Sequence, residues 1–422
     1  MTMLHRRWAM LALLLILSLV AAACGGDDAG TVTTDDADTT DTEGTAAPTV
    51  TAGTGEDDAT EDDATEDDAA EGDAAEDDAT EDDGPADEVR TDTALEDACD
   101  QYGDVEIPED FTVGLVTDIG RVDDGTFNQF AYDGMIAAAD CLGFETNFIE
   151  TASEADYDQN ISTILESDPA VVVTVGFLIA DATLAAAEAN PDVNFVGIDQ
   201  FQETFPDNYI GILFREDQGG FLAGAMAALL TESGVVGVVG GLEVVPPVVR
   251  FVNGYATGAA FVNPDVNVLS VYTDSFTDPA QGASAAEQFL GEGADVIFGA
   301  GGQTGSGAIQ AAAESGAFAI GVDQDEYFTT FGGGTSPGAD RLATSAIKRV
   351  DLGTFVQIGE HLAGTFAGGI FTLDAANEGI TYAEFHDADI PADVAEELER
   401  IRAGLADGSI ETGVDPVTGL PE

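Results

Sequence analysis

The chain has 422 residues, and its 82 Asp and Glu against 11 Lys and Arg give a formal net charge of −71 at pH 7. Such a charge repels nucleic acids, anionic membrane surfaces and phosphorylated ligands, which argues against all three as partners. Lys348 is the only lysine in the chain, and this scarcity beside so many acids predicts a halophilic protein.

The N-terminal residues predict an export signal with a lipid anchor. Arg6 and Arg7 precede an apolar run over 8–20, and three alanines lead to Cys24. A run that short suits a cleaved secretory signal rather than a membrane-spanning helix. The sequence before Cys24 resembles a bacterial lipobox, so we expect residues 1–23 to be removed and Cys24 to be lipidated. The protein would then sit at the extracytoplasmic face of the cell membrane. An ordinary cleavage site beside a stray cysteine is the alternative.

Residues 24–97 predict an acidic tether. The pentapeptide Glu-Asp-Asp-Ala-Thr recurs between positions 56 and 83, and Arg90 is the only basic residue of this segment. A segment with so little to bury and so much like charge is expected to be extended and disordered. We interpret it as a spacer between membrane and domain, with a cation buffer as the alternative.

Beyond the tether, apolar strand patterns alternate with alanine-rich helical patterns. The predicted strands are 111–117, 144–149, 170–175, 194–198, 209–214, 235–239, 266–272, 295–298 and 318–322. Helical patterns between them include 128–142, 181–189, 219–230 and 280–290. This alternation predicts an α/β fold with parallel sheets covered on both faces, and the number of units fits two lobes better than one open sheet.

Two cysteines lie at the ends of the first strand and helix unit. Cys99 precedes the predicted first strand and Cys141 closes the predicted first helix. In an exported protein this arrangement favours a disulfide, with two unpaired thiols as the alternative.

Polar or glycine-rich positions follow most of the predicted strands. They are Asp118, Gly176, Asp199, Gly240, Gly241, 274–276, 299–302 and Asp323. Because the carboxyl ends of parallel strands form the ligand sites of α/β folds, we expect these positions to surround one cleft. Asp118 and Asp199 can accept hydrogen bonds from a ligand, and Asn128 can both donate and accept.

Seven segments together carry a family resemblance. They are 117–120, 123–129, 217–224, 275–279, 299–302, 321–325 and 344–348. In this order they resemble the basic membrane protein family, the substrate-binding lipoproteins of ABC importers for purine nucleosides. The resemblance implies the two-lobed type I periplasmic-binding-protein fold with its ligand in the interlobe cleft. From the pattern we place lobe 1 at 98–213 plus 324–363 and lobe 2 at 214–323 plus 364–422.

The resemblance also implies roles for single residues. Phe127 and Phe276 would sandwich a purine, and base stacking on an aromatic ring is worth about 1–3 kcal/mol. Asp323 and Lys348 would hold the ribose hydroxyls, beside the helix N-terminal amides near Gly301. Each residue also has a purely structural interpretation, because phenylalanines at element ends pack, carboxylates after strands cap turns and lysines are usually exposed.

The sequence Gln324-Asp325-Glu326 departs from the usual sequence of the family at this position. It predicts an additional acid near the ribose end, which puts the sugar preference in question.

Enzymatic interpretations are weaker. The glycine-rich stretch 299–307 opens a helix, with Asp323 at the spacing of a dinucleotide-binding fingerprint, but NAD is a cytoplasmic cofactor and this chain carries an export signal. No Gly-x-Ser-x-Gly motif occurs, and His361 and His386 have no evident nucleophile partner. No calcium loop of Asp-x-Asp-x-Asp-Gly form occurs either, so we expect neither cofactor nor metal.

The sequence therefore predicts a monomeric, lipid-anchored receptor without enzymatic activity, which binds a neutral purine nucleoside and passes it to an ABC permease. The alternatives are a receptor for a sugar or another neutral small molecule, and a ligand-sensing lipoprotein without a transport role.

Overall fold

The computed structural model describes residues 93–422. The predicted signal, Cys24 and the tether up to residue 92 lie outside the described residues. Residues 93–97, predicted as the end of the tether, belong instead to a helix over Thr93–Tyr102. All described residues belong to one compact unit, 84–422. Among them, no helix is long and apolar enough to cross a membrane.

The described chain forms two six-stranded sheets. The strands are β1 (Thr112–Ile119), β2 (Glu145–Thr151), β3 (Val171–Val175), β4 (Asn194–Ile198), β5 (Tyr209–Phe214), β6 (Val235–Gly240), β7 (Asn267–Tyr272), β8 (Val296–Ala300), β9 (Phe318–Asp323), β10 (Leu342–Lys348), β11 (Gly369–Leu373) and β12 (Ile380–Tyr382). The helices are α1 (Thr93–Tyr102), α2 (Phe127–Leu142), α3 (Tyr157–Leu165), α4 (Ala180–Ala189), α5 (Glu216–Leu230), α6 (Pro246–Val262), α7 (Pro279–Gly291), α8 (Gly302–Glu314), α9 (Val350–Leu362) and α10 (Ala392–Ala406).

Each sheet is the centre of one lobe. Lobe 1 has the strand order β11-β5-β4-β3-β1-β2, and lobe 2 has the order β12-β10-β9-β8-β6-β7. All strand pairs are parallel except β10 with β12. The predicted two-lobed α/β fold is therefore confirmed.

The central strands are continuous apolar runs because helices cover both faces of each sheet. Every residue of β3 and of β8 is buried. In lobe 1, α2 and α9 pack on one face and α3 and α4 on the other. In lobe 2, α5, α6 and α10 pack on one face and α7 and α8 on the other. Both faces thus contribute to the core of each lobe, and the strand ends are left to form a site.

The chain passes between the lobes three times. It enters lobe 2 after β5, close to the predicted crossing at Phe214, returns after β10 and enters lobe 2 again between β11 and β12. The second and third crossings were predicted near Asp323 and Ala363 and lie elsewhere. The reason for the second is that β10 pairs with β9 and belongs to lobe 2, which moves the return to Lys348. The reason for the third is that β11 pairs with β5 in lobe 1.

A disulfide joins Cys99 in α1 to Cys141 in the last turn of α2. It attaches the first described helix to the body of lobe 1, where Tyr102 of the same helix is buried and donates a hydrogen bond to Glu360 of α9. Gly143 then ends α2 in a left-handed conformation with φ of 84°.

Candidate functional site

A cavity lies between the carboxyl ends of the two sheets. It encloses about 660 Å³ of empty space, part of which is open to solvent. The lining residues from lobe 1 are Asp118, Ile119, Asp124, Phe127, Asn128, Phe177 and Asp199. Those from lobe 2 are Val245, Pro247, Val248, Phe251, Phe276, Thr277, Ala300, Gly301, Gly302, Gln303, Val322, Asp323 and Lys348. The eight ligand-binding residues predicted from the sequence therefore all line one cavity.

Asp118 lies near the carboxyl end of β1 with one carboxylate oxygen held by the protein. Its Oδ1 accepts hydrogen bonds from the backbone N–H of Ile119 at 2.7 Å and from the hydroxyl of Tyr157. Its Oδ2 lies beside Gly176, where a Cβ atom would approach to 2.0 Å. Because Gly176 also has φ of 99°, glycine is required both for the backbone and for the space that the carboxylate fills.

Asp124 holds the start of α2 at the cavity wall. Its Oδ1 accepts from the backbone N–H groups of Thr126 and Gln129 at 2.9 and 3.0 Å, and its Oδ2 accepts from the backbone N–H and the side-chain Nδ2 of Asn128 at 3.1 and 3.0 Å. Asp124 is thus the side chain that satisfies the free N–H groups of this helix terminus. The motif predicts a ligand role for Asn128, and the capping role of Asp124 was missed.

Asn128 is already engaged on both ends of its amide. Its Oδ1 accepts from the backbone N–H of Asp118 at 2.9 Å, while its Nδ2 donates to Asp124. An amide nitrogen has two hydrogens, so Asn128 retains donor capacity for a ligand. Its Oδ1 is used within the protein, where the bond from Asp118 connects the end of β1 to the start of α2.

Lys348 ends β10 and is buried, with 1% of its surface exposed. Its Nζ donates a hydrogen bond to Asp199 Oδ2 at 2.6 Å and forms an ion pair with Glu216 Oε1 at 2.9 Å. The ammonium also lies 4.9 Å from the ring centre of Phe127 and 4.8 Å from that of Phe214, within the range of a cation–π contact. Burial lowers the pKa of Lys348, but the surrounding carboxylates outweigh it and the pKa is raised.

Asp199 has a partner that its position after β4 does not reveal. One oxygen is bound to Lys348, and the other, Oδ1, is buried without a hydrogen-bond partner among the described residues. A buried acceptor left unpaired costs about 1–3 kcal/mol, which a ligand donor would recover. Burial raises the pKa of Asp199 to about 6, against the opposing effect of Lys348.

Asp323 is the fourth carboxylate of the cavity, after Asp118, Asp124 and Asp199. Like Asp199, it has a left-handed backbone, with φ of 68° against 62°, a conformation in which aspartate is among the better tolerated residues. Burial raises the pKa of Asp323 to about 7 and that of Asp118 to about 6. The cavity therefore carries four carboxylates, including Asp124, whose charged forms lack solvent, and this favours a ligand that offers N–H or O–H donors.

Aromatic rings come to the cavity from both lobes. Phe127 and Phe177 belong to lobe 1, and Phe251 and Phe276 to lobe 2. Phe276 lies against Gly241, where a Cβ would approach its Cε1 to 2.2 Å. Flat apolar faces beside a few oriented polar groups are the usual lining of small-molecule sites.

The sequence Gln324-Asp325-Glu326 does not add an acid to the cavity. Glu326 Oε1 accepts the backbone N–H of Val322 at 3.0 Å, and its Oε2 accepts the hydroxyls of Ser306 and Thr330. Asp325 pairs with His386 at 2.7 Å. Neither of these two acids lines the cavity, because both carboxylates are directed to other partners. Glu326 is nevertheless close enough to Asp323 to help raise its pKa.

The two histidines of the described residues lie away from the cavity. His361 packs against the tilted ring of Phe111 and is hydrogen-bonded to Asn194, and His386 stacks against Tyr327. Among residues 93–422, no group of three or more His, Cys, Asp or Glu side chains is placed to hold a metal ion.

Besides Asp124, sequence reasoning missed two charged residues near the site, Glu216 and Arg250. Arg250 Nε lies 2.5 Å from Glu216 Oε2, and both side chains are buried. Glu216 begins α5 immediately before a segment of the family resemblance, and its charge in an apolar, glycine-rich helix was the available signal. Arg250 in the apolar helix α6 was a second.

Comparison with known proteins places this arrangement among transport receptors. A sequence model of the family described as "ABC transporter substrate-binding protein PnrA-like" matches residues 111–398. The CD4+ T-cell-stimulating antigen of Listeria innocua is 31% identical over 332 residues, covering 74% of this chain and 91% of that protein. The ABC transporter nucleoside-binding protein BmpA of Lactococcus lactis subsp. cremoris is 30% identical over 295 residues, covering 65% and 82%. The crystal structure of an ABC transporter system solute-binding protein from Aeropyrum pernix K1 has a TM-score of 0.64 at 26% identity, covering 71% and 92%.

Proposed function

This chain belongs to the PnrA-like family of ABC transporter substrate-binding proteins, and on that basis we propose that it binds a neutral purine nucleoside between its lobes and delivers it to a membrane permease. The ligand-binding residues are Asp118, Phe127, Asn128, Asp199, Phe276, Gly301, Asp323 and Lys348. The protein acts without catalysis and without a cofactor.

The observation that carries the proposal is the combination of polar groups in the cavity. Asp118, Asp199 and Asp323 supply acceptors, Lys348 supplies a donor, and phenylalanine rings from both lobes supply flat apolar faces. A nucleoside presents the complement, because its base has a π face and N–H groups and its ribose has hydroxyls that donate and accept. Stacking alone is worth about 1–3 kcal/mol per base.

The charge balance supports a ligand without phosphate. Lys348 is already paired with Asp199 and Glu216, so it adds no net positive charge for an anion. A phosphate would meet the buried carboxylate of Asp323 and the negative field of the whole chain. A relative at 30% identity is named a nucleoside-binding protein, which supports a nucleoside over a free sugar.

Contacts between the lobes support binding by closure. Gln324 Nε2 of lobe 2 donates to the backbone oxygen of Thr126 in lobe 1 at 3.0 Å. The hydroxyl of Thr329 donates to the backbone oxygen of Gly125 at 2.8 Å. Lys348 reaches Asp199 across the same cleft. A ligand that contacts both lobes adds to these bonds only in the closed form and so shifts the population toward it.

The remaining parts of the proposal concern location and assembly. The protein is anchored through lipid on Cys24 at the extracytoplasmic face of the cell membrane, with the acidic tether as a spacer. It works as a monomer, contacts the permease with its ligand enclosed, and is adapted to high salt.

The test is isothermal titration calorimetry of the purified chain with inosine, guanosine and adenosine, with their 5′-monophosphates, and with monosaccharides as controls. We expect at least one nucleoside to bind and its monophosphate to bind at least about 100-fold more weakly, since like-charge juxtaposition costs several kcal/mol. Equal binding of nucleoside and monophosphate would contradict the charge argument, and binding of a monosaccharide alone would replace the nucleoside as ligand.

A further inference from the structure

Lys348 is the meeting point of a buried charge cluster that spans both lobes. The cluster consists of Lys348, Asp199, Glu216 and Arg250. Asp199 approaches the ammonium from lobe 1 and Glu216 from lobe 2, at 2.6 and 2.9 Å. All four residues have less than a tenth of their surface exposed, so water screens these contacts weakly.

Glu216 forms one ion pair through each of its two oxygens and does not line the cavity. Its Oε2 lies 2.5 Å from Arg250 Nε, and its Oε1 faces Lys348. Burial raises the pKa of Glu216, but Arg250 and Lys348 outweigh this effect and lower the pKa to about 2. Glu216 is therefore a fixed negative charge beneath the cavity, behind the lysine that lines it.

We propose that Glu216 is the positioning residue for Lys348, holding the ammonium charged at the cavity wall while Arg250 balances the carboxylate. This inference rests on the proposed function only where it concerns the ligand. An ammonium has three N–H donors, and Asp199 and Glu216 engage at most two of them. Glu216 attracts the ammonium from lobe 2, whereas Asp199 attracts it from lobe 1. Lys348 therefore stays between the lobes and keeps donor capacity for a ligand oxygen.

The groups that face Lys348 come from several elements. Asp199 follows β4, Glu216 begins α5, Asp323 ends β9 and Arg250 lies in α6, and each interacts electrostatically with the lysine or with its carboxylate partners. The rings of Phe127 and Phe214 cover the ammonium from lobe 1, and that of Phe251 lies 6.0 Å away in lobe 2. Glu216 is the one carboxylate of this set that touches Lys348 from its own lobe, so its contribution can be removed without changing a cavity-lining residue.

The chain offers a direct probe because Lys348 is its only lysine. Incorporation of ¹⁵N-labelled lysine gives one side-chain amine signal in the full chain, and its pH titration reports the pKa of Lys348. In Glu216→Gln we expect that pKa to fall by about 1 unit or more, the usual effect of removing an opposite charge within 4–6 Å. In Arg250→Gln we expect a shift in the opposite direction, since Lys348 would then be the sole neighbour in ionic contact with Glu216.

Glu326→Gln is the matched control, because Glu326 is also fully buried but is bound to Ser306, Thr330 and the backbone of Val322. It should leave the lysine titration within about 0.3 units, well below the shift expected from a contacting charge. An unchanged titration in Glu216→Gln, or shifts of the same sign in the Glu216 and Arg250 variants, would overturn the proposal. If neither variant folds, the wild-type titration decides: a pKa above that of free lysine supports the proposal, and one below it refutes the proposal.

Affinity measurements distinguish a positioning role of Glu216 from a general contribution to stability. Glu216→Gln should lower nucleoside affinity by about 10-fold, the scale of one weakened charge-assisted hydrogen bond, while the affinity for the free purine base changes by less than about 2-fold. Equal losses for nucleoside and base would assign Glu216 a structural role only. If the wild-type chain binds no nucleoside, the proposed function fails, and the lysine titration still decides the role of Glu216.

Discussion

Replacing Gly176 by alanine tests whether the carboxylate of Asp118 must occupy its observed position. A Cβ at residue 176 would lie 2.0 Å from Asp118 Oδ2 and 2.6 Å from its Cγ. Atoms at those distances overlap, so the carboxylate must move away from the position it has beside Gly176. The bond from Tyr157 to Asp118 Oδ1 opposes that movement and leaves the side chain without an equivalent alternative.

The substitution has two effects, one on the free energy of unfolding and one on the free energy of ligand binding, and the experiment measures them separately. The backbone at Gly176 has φ of 99°, and a left-handed conformation costs a residue with a side chain about 1–2 kcal/mol of stability. A displaced Asp118 would also lose the hydrogen bond that we propose it accepts from the ligand, and a hydrogen bond to a charged group is worth about 1.5–3 kcal/mol. At about 1.4 kcal/mol for each factor of ten, the affinity for the ligand should fall about 10- to 100-fold.

Gly143→Ala provides the control, since Gly143 has φ of 84° and no atom within 4 Å of the place that a Cβ would occupy. Urea unfolding should show a loss of stability in both variants, larger in Gly176→Ala because only there is a side chain displaced, and calorimetry with the best-binding nucleoside should show a loss of affinity in Gly176→Ala alone. Wild-type affinity in Gly176→Ala, or an equal loss in the control, would refute the assignment of Asp118 to the ligand.

Three further predictions concern stability. Reducing the disulfide between Cys99 and Cys141, which are separated by 42 residues, should cost about 2–4 kcal/mol in urea unfolding with and without reductant; no change would mean that the bond constrains nothing. Asp323 and Glu326 each have a pKa raised by burial to about 7, so the folded state binds protons that the unfolded state releases. The stability that these two groups contribute should be greatest below about pH 4, where both are protonated in the folded and the unfolded state, and should be lost as the pH rises to 7, by about 3–4 kcal/mol for each group. Glu326→Gln should flatten that slope, and stability that rises with pH in this window would contradict the account. Finally, the formal charge of −71 predicts a melting temperature that rises from about 0.1 to 2 M NaCl as repulsion is screened; a melting temperature independent of salt would exclude salt adaptation.

Much of the fold could be predicted because buried parallel strands are continuous apolar runs. The bounds predicted at 194–198 and 209–214 are those of β4 and β5. By contrast, β10 has the sequence Leu-Ala-Thr-Ser-Ala-Ile-Lys and lacks such a run. It is a fully buried strand because it lies between β9 and β12 in the sheet and its alanines pack against α5. Because β10 was not among the predicted strands, the second lobe crossing was predicted one strand too early.

Asp118, Asp199 and Asp323 could be predicted as cavity-lining residues because the topology brings the carboxyl ends of the strands to one place. Their partners could not, since pairing depends on contacts between distant parts of the chain. Asp199 and Lys348 are 149 residues apart in sequence yet 2.6 Å apart in space. Position after a strand predicts an acceptor at Asp199, but only the three-dimensional arrangement shows that one of its oxygens is already bound to the lysine.

The central claim is tested most directly by native mass spectrometry of the full chain in an equimolar mixture of purine nucleosides, their 5′-monophosphates and monosaccharides. We predict one retained molecule per chain, with the mass of a purine nucleoside, and its loss when Asp118 and Lys348 are replaced by Asn and Met. Retention of a monosaccharide or a monophosphate instead, or of no nucleoside at any concentration that saturates a specific site, would contradict the account.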